Sequence, residues 1–247
     1  MDSLGDLQPA GFPRCPKCPL LVGGSAAVCY ACASATLTRA RNPCPVCGQE
    51  DGNNGRCRNR LCTDPDRSID KIVAIAIKGG AVDATIKQLK YPPWVRGWAI
   101  IFGRLVFGYV EAHANHDRTG LIVANPTYVG AGSDRAVRHT ELVIEAAARE
   151  DTLNRWPWDV GEPRAIVKTG PSPRSAGSGL AAKIEAADAL VDVLRVPNPQ
   201  RTAGKGIIVY DDVCTTGVQL DRVARLLKGQ GGATVVVGLV LARARWR

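Results

Sequence analysis

The sequence predicts an α/β fold with a mainly parallel sheet, preceded by a small metal-binding module. Three observations predict it. Short β-rich apolar runs alternate with longer amphipathic runs along residues 67–247, the pattern of strands joined by crossover helices. One of these units, residues 207–220, reads IIVYDDVCTTGVQL: an apolar run, two acids, a small-residue turn and the start of an amphipathic run. Eight of the nine cysteines fall before residue 63, six of them as Cys-x-x-Cys pairs. The boundaries expected are 1–66 for the cysteine module and 67–247 for the α/β domain.

In chain order, Met1–Pro13 lacks the basic start and apolar run of an export signal, which leads to a cytoplasmic expectation. No apolar run approaches membrane-spanning length, so membrane insertion is not expected. The cysteines follow: Cys15, Cys18, Cys29 and Cys32, then Cys44, Cys47, Cys57 and Cys62. A Cys-x-x-Cys pair bends the chain so that two thiolates meet one metal, and a second pair completes a tetrahedral site. Two sets in tandem predict two structural zinc sites in a double zinc ribbon. The competing reading is a disulfide scaffold, which an intracellular chain disfavours. Few large apolar residues lie between the ligands, so metal would supply much of the folding energy. Arg39, Arg41, Arg56, Arg58 and Arg60 suit either nucleic-acid contact or plain solvation, and only Tyr30 offers an aromatic face between the ligands.

Residues 64–68 contain Asp-Pro-Asp and read as the linker. A strand is expected at 72–77, a turn at 78–80, and a helix over 81–90 ended by Tyr91-Pro92-Pro93. A second helix is expected over 98–110 and a strand at 121–124. Asn125-Pro126-Thr127 and a glycine-containing loop come next, then a helix over 135–149. A strand at 166–167, a Pro/Ser/Gly loop at 170–179 and a helix over 181–194 follow. The last strand is expected at 235–241. In such sheets ligands bind beyond the carboxyl ends of the strands, which would bring loops 125–134, 170–179 and 211–217 to one edge.

Residues 207–220 carry the chemistry. The β-branched residues Ile207, Ile208 and Val209 make a short buried strand with Asp211 and Asp212 at its tip. The Thr215-Thr216-Gly217 turn then aims backbone N–H groups and a helix N-terminus at one point, which suits phosphate. Two carboxylates beside it suit the vicinal hydroxyls of a ribose, so a ribose 5-phosphate is the natural ligand. Cys214, inside this loop, reads as a packing residue. The chain of 247 residues carries a net charge of +9, most of it after residue 66, and a pocket for a polyanionic diphosphate needs such cations as much as a nucleic-acid surface does.

The same stretch resembles the signature for 5-phosphoribosyl 1-diphosphate (PRPP) of type I phosphoribosyltransferases. That resemblance implies that Asp211 and Asp212 hold the ribose, that Thr215, Thr216, Gly217 and Val218 line the phosphate loop with Val213 and Cys214 leading in, and that Gln219 stands where the family usually has Thr. Asp211 and Asp212 are the expected catalytic residues, and Mg2+ is implied with the diphosphate. A double zinc ribbon, a Leu89-Lys90-Tyr91 helix end and such a domain, in that order, resemble the ComF/GntX-like family over nearly the whole chain. Its Val-Pro-Val-Pro strand end is Val123-Ala124-Asn125-Pro126 here. Its Arg-Gly-Phe-Asn-Gln is Arg135-Ala136-Val137-Arg138-His139, followed by the matching Glu141-Leu142. Its Thr-Pro-Ser-Gln region looks like residues 170–174. The resemblance implies PRPP or a nucleoside monophosphate as ligand, with Arg135 and Arg138 toward the pyrophosphate. Two function classes follow: a phosphoribosyltransferase with an unknown acceptor, or a non-catalytic nucleotide- or PRPP-binding protein of DNA uptake or processing. In the second, the ribbons would contact single-stranded DNA or a DNA-processing partner.

Overall fold

The computed structural model describes residues 37–50, 57–91, 95–173 and 179–245. The chain runs α1 (Arg60–Thr63), β1 (Lys71–Ile77), α2 (Gly80–Lys90), α3 (Val95–His113), β2 (Leu121–Ala124), α4 (His139–Glu150), β3 (Val167–Lys168), α5 (Leu180–Val191), β4 (Leu194–Arg195), β5 (Gly206–Cys214), α6 (Val218–Gly229) and β6 (Val235–Arg243). The four longer strands form one parallel sheet in the order β1–β6–β5–β2. The α/β class and the mainly parallel sheet are as the alternation predicts. Among the described residues no helix is long and apolar enough to cross a membrane.

Successive strand side chains point to opposite faces, and each face has its own core. Ile122 and Tyr210 join α2, α3 and α4 on one side, through Leu89, Trp98, Phe102, Val143 and Ala147. Leu121, Val123, Ile207 and Val209 join α5 and α6 on the other, through Leu190, Leu220, Val223 and Leu227. Cys44, Cys47 and Leu61 belong to this second core. The segment expected to be a linker is pinned to the sheet domain, since Asp221 Oδ1 accepts from Ser68 N at 2.7 Å and Ile69 N at 3.0 Å.

Four local expectations change. The strand at 166–167 appears as β3 and pairs antiparallel with β4, outside the parallel sheet. The helix expected to reach Leu194 stops at Val191, because Leu194 is fully buried as a strand residue opposite Lys168. The helix expected from Arg135 starts at His139, because Ser133 Oγ donates to Tyr128 O and accepts from Arg135 N, holding the preceding segment as a loop. The acidic pair does not sit on a strand tip. β5 continues through both residues to Cys214, supported on one side by β6, with Asp211 opposite Val240 and Cys214 opposite Arg243.

On its other side β5 outruns its neighbour. β2 pairs only as far as Ala124 opposite Tyr210, and the last bond is Asn125 N to Tyr210 O at 2.7 Å. Pro126 has no N–H to continue the ladder. The β2-facing edge of residues 211–214 is therefore left unpaired by β2, beyond the end of that strand.

Candidate functional site

A cavity of about 500 Å³ opens at that edge, and all three expected loops line it: residues 125–128 with 132–135, residues 171–173, and residues 211–217 with Gln219. Its size is that of small-ligand sites. Lys90 and Tyr91 at the end of α2, His139 and Thr140 at the start of α4, and Lys168 on β3 also line it, with further residues of α2 and α5.

Of the residues expected at the site, Asp211, Asp212, Val213, Cys214, Thr215, Thr216, Gly217, Gln219 and Arg135 line the cavity. Val218 begins α6 without lining it, and Arg138 is exposed as the residue preceding α4. Cys214 is buried, accepts from Arg243 Nη1 at 2.8 Å, and burial pushes its thiol up to about 12, so it is a packing residue as expected.

The two carboxylates are unlike each other. Asp212 is buried and committed: Lys90 Nζ is 2.8 Å and His139 Nε2 3.1 Å from its Oδ2. Burial opposes its charge, but Lys90 and His139 outweigh that and hold the carboxyl well below the usual range. Asp211 is in no ion pair among the described residues; it accepts from Asn125 Nδ2 at 2.9 Å and from the Asp212 backbone at 2.8 Å. Burial and the neighbouring charge of Asp212 push Asp211 up to about 6, against the lowering from those hydrogen bonds and Lys90.

Arg135 lies over the Tyr91 ring, 5.1 Å from its centroid, a cation–π arrangement that fixes its guanidinium at the wall. Lys168 donates to Ser172 Oγ at 2.7 Å, and its burial, together with the nearby Arg135, lowers its pKa. Three residues of the wall, Asn125, Arg135 and His139, each carry a buried polar atom without a hydrogen-bond partner among the described residues: Oδ1, Nη1 and Nδ1. Buried polar atoms are nearly always paired, so their gathering around one cavity marks a place that takes polar ligand or solvent atoms.

The loop itself is built for close approach. Gly217 has φ +89°, a left-handed conformation, and precedes α6. The first-turn N–H groups of a helix have no intrahelical partners and carry its positive end. The 125–128 loop is held from α4, where Glu141 Oε1 accepts from Thr127 N at 3.0 Å and Thr140 Oγ1 donates to Asn125 O at 2.7 Å.

Behind the loop, Cys44, Cys47, Cys57 and Cys62 converge with all four sulfurs within 4.8 Å of one another. Neighbouring Sγ atoms are 3.5–3.6 Å apart, far beyond a disulfide bond. A zinc ion with Zn–S bonds of about 2.3 Å gives a tetrahedron with S···S edges of about 3.8 Å, so the spacing fits zinc. Burial works against charge on Cys47, but the Gln49 backbone, Arg243 and the neighbouring thiols outweigh it and bring this thiol down to about 7, while burial pushes Cys57 up to about 11. The four sulfurs fill a tetrahedral shell, so a metal here is structural. Cys15, Cys18, Cys29 and Cys32, the second expected set, lie outside the described residues. Elemental analysis of the purified chain is expected to return at least one zinc. The Cys47→Ser/Cys62→Ser double variant should lose one equivalent; an unchanged zinc content would remove the assignment.

Sequence reasoning missed four residues of this site. Lys90 and His139 were visible only as parts of family-like motifs and Asn125 as part of a loop expected at the sheet edge, and nothing local signals that each meets Asp211 or Asp212. Arg243 falls just past the strand expected at 235–241. It is fully buried and donates to Thr215 O, and the only sequence signal was its place at the end of an apolar strand.

No protein-family model matches the chain, and no curated protein matches it.

Proposed function

We propose that this chain is a phosphoribosyltransferase-type protein of the ComF/GntX-like kind, and that the cavity takes PRPP with Mg2+. One observation carries the reading: the Thr215–Gly217 turn ahead of α6, the carboxylate of Asp211 and the cations Arg135 and Lys168 all line one cavity beyond the carboxyl ends of a parallel sheet. The turn and helix N-terminus take the 5-phosphate. Asp211, which has no ion-pair partner among the described residues, accepts from the ribose hydroxyls. Arg135 and Lys168 face the diphosphate charge across the cavity. Asp211 would also offer a hard oxygen suited to Mg2+, and the chemistry such an ion would supply is charge neutralisation of a pyrophosphate leaving group. As pyrophosphate departs, positive charge develops at the anomeric carbon, and Asp211 with the oriented loop dipoles stabilises it.

A second reading, binding without transfer, is favoured by the commitment of Asp212 to Lys90 and His139 and by Thr215, which cannot act as a general base. It would place the protein in nucleotide-linked DNA handling.

Calorimetric titration of the metal-loaded full chain with PRPP and Mg2+ is expected to show saturable one-to-one binding, weakened when ribose 5-phosphate replaces PRPP because the diphosphate contacts are lost. Absence of saturable binding by a folded sample overturns the proposal. Pyrophosphate release with a panel of bases and amines separates transfer from binding alone. Titration with single-stranded DNA at two salt concentrations is expected to give weak, steeply salt-dependent binding; tight, salt-insensitive binding would make this a dedicated nucleic-acid binder.

A further inference from the structure

We propose that the four-cysteine centre forms the back wall of the Thr215–Gly217 loop, with Asn59 and Leu61 as positioning residues that couple metal binding to ligand binding. The inference rests on the loop being the phosphate site proposed above.

Asn59 and Leu61 lie between two of the metal-ligating residues, Cys57 and Cys62. Asn59 is buried and uses both ends of its amide: Oδ1 accepts from Leu61 N at 3.1 Å, and Nδ2 donates to Thr216 O at 2.8 Å. In a trans peptide the carbonyl and the following N–H point in opposite directions. Holding Thr216 C=O from behind therefore aims the Gly217 N–H away from the cysteine side. Arg243 treats the preceding peptide in the same way, donating to Thr215 O, which aims the Thr216 N–H likewise. Two consecutive N–H groups are thus set in one direction by donors on the back of the loop, the arrangement of an anion-binding nest.

Leu61 completes the wall. A Cβ at Gly217 would stand 2.7 Å from Leu61 Cδ2 and 2.9 Å from Ile72 Cδ1, so the loop backbone rests directly on these two side chains. The cysteine segment is docked on the same strand, with Ile72 N donating to Val46 O at 2.7 Å.

α1, which follows Asn59, is a four-residue turn. A helix that short does not persist by itself in water. What closes the segment around Asn59 and Leu61 is the ligation of Cys57 and Cys62 to the same metal as Cys44 and Cys47. Loss of the metal releases both positioning residues, and the loop peptides lose their aim.

The test compares wild type with Asn59→Ala, Asn59→Asp and, as a control, Arg60→Ala, whose side chain is exposed. All are full-length and checked for zinc content and thermal stability. Both Asn59 variants are expected to retain zinc and to bind PRPP with Mg2+ about tenfold or more weakly, the size of effect that losing an aimed hydrogen bond produces. Arg60→Ala should bind as wild type. Amide hydrogen exchange over residues 215–218 is read on the same samples without ligand. It should accelerate in the Asn59 variants, and in wild type after zinc is chelated. Unchanged affinity and unchanged exchange in both zinc-loaded Asn59 variants overturn the coupling. Should wild type bind no PRPP, the ligand reading fails, and the exchange measurement alone decides whether the cysteine centre holds the loop.

Discussion

Asp212→Asn is expected to destabilise the protein by about 2 kcal/mol at pH 7 and to weaken PRPP binding, whereas Asp211→Asn should abolish binding while leaving the fold at least as stable. The contrast follows from the partners. Removing the Asp212 charge strands Lys90 and a 7% exposed His139 side chain that both meet its Oδ2. Breaking a buried pair by removing one member leaves an uncompensated charge, which costs about 3–5 kcal/mol in fully buried cases and less here because Lys90 is partly exposed. Asp211 has no such partner among the described residues, and its charge sits beside another carboxylate.

The pH dependence has opposite signs at the two positions. Asp212 is held below the ordinary carboxylate range, so its contribution is present above an unfolded-state value of about 3.9 and is lost as pH falls through the lower folded value. Asp211 is raised to about 6, so its contribution is fully present below about 3.9 and is lost as pH rises through 6. Urea denaturation of wild type and Asp211→Asn at pH 4.5 and pH 8 should therefore show the variant gaining about 1–2 kcal/mol relative to wild type at the higher pH. Ligand binding that needs the Asp211 carboxylate should weaken below pH 6. Equal destabilisation by the two substitutions, with the same pH profile, would refute this division of roles.

Gly217→Ala is expected to be the most damaging single methyl in the loop. The position has φ +89°, where a side chain is strained, and the added Cβ would overlap both Leu61 and Ile72. The left-handed backbone costs about 1–2 kcal/mol and the forced overlap about 1–3 kcal/mol more. Relief by shifting the loop would turn its N–H groups away from the phosphate, so ribose 5-phosphate affinity should fall more than tenfold. Gly229→Ala at the end of α6 is the control: a Cβ there meets nothing within 4 Å, and the expected result is a gain of about 0.5–1 kcal/mol with unchanged binding. Equal behaviour of the two alanine variants would show that the loop tolerates a side chain.

The cysteine spacing, the apolar runs of β1, β2, β5 and β6, and the small-residue turn before α6 are local signals, and all were legible. Each depends on near neighbours: two thiols separated by two residues bend toward one metal, β-branched runs suit a parallel strand buried on both faces, and Gly217 supplies the left-handed residue that the turn requires. The sequence therefore determined the α/β class, the existence of a four-cysteine centre at Cys44, Cys47, Cys57 and Cys62, and the meeting of three loops at one sheet edge. Only the tertiary structure decided how far β5 runs past β2, that β3 and β4 leave the parallel sheet to pair with each other, and which groups surround the acids. Asp212 meets Lys90 and His139, Asn59 meets Thr216, and the buried Arg243 meets Thr215. Hydrophobic periodicity reports which face of an element is buried, but carries no record of which distant element will lie against it. These polar contacts join residues brought together by strand order and helix packing, so their roles emerge only once the chain has folded.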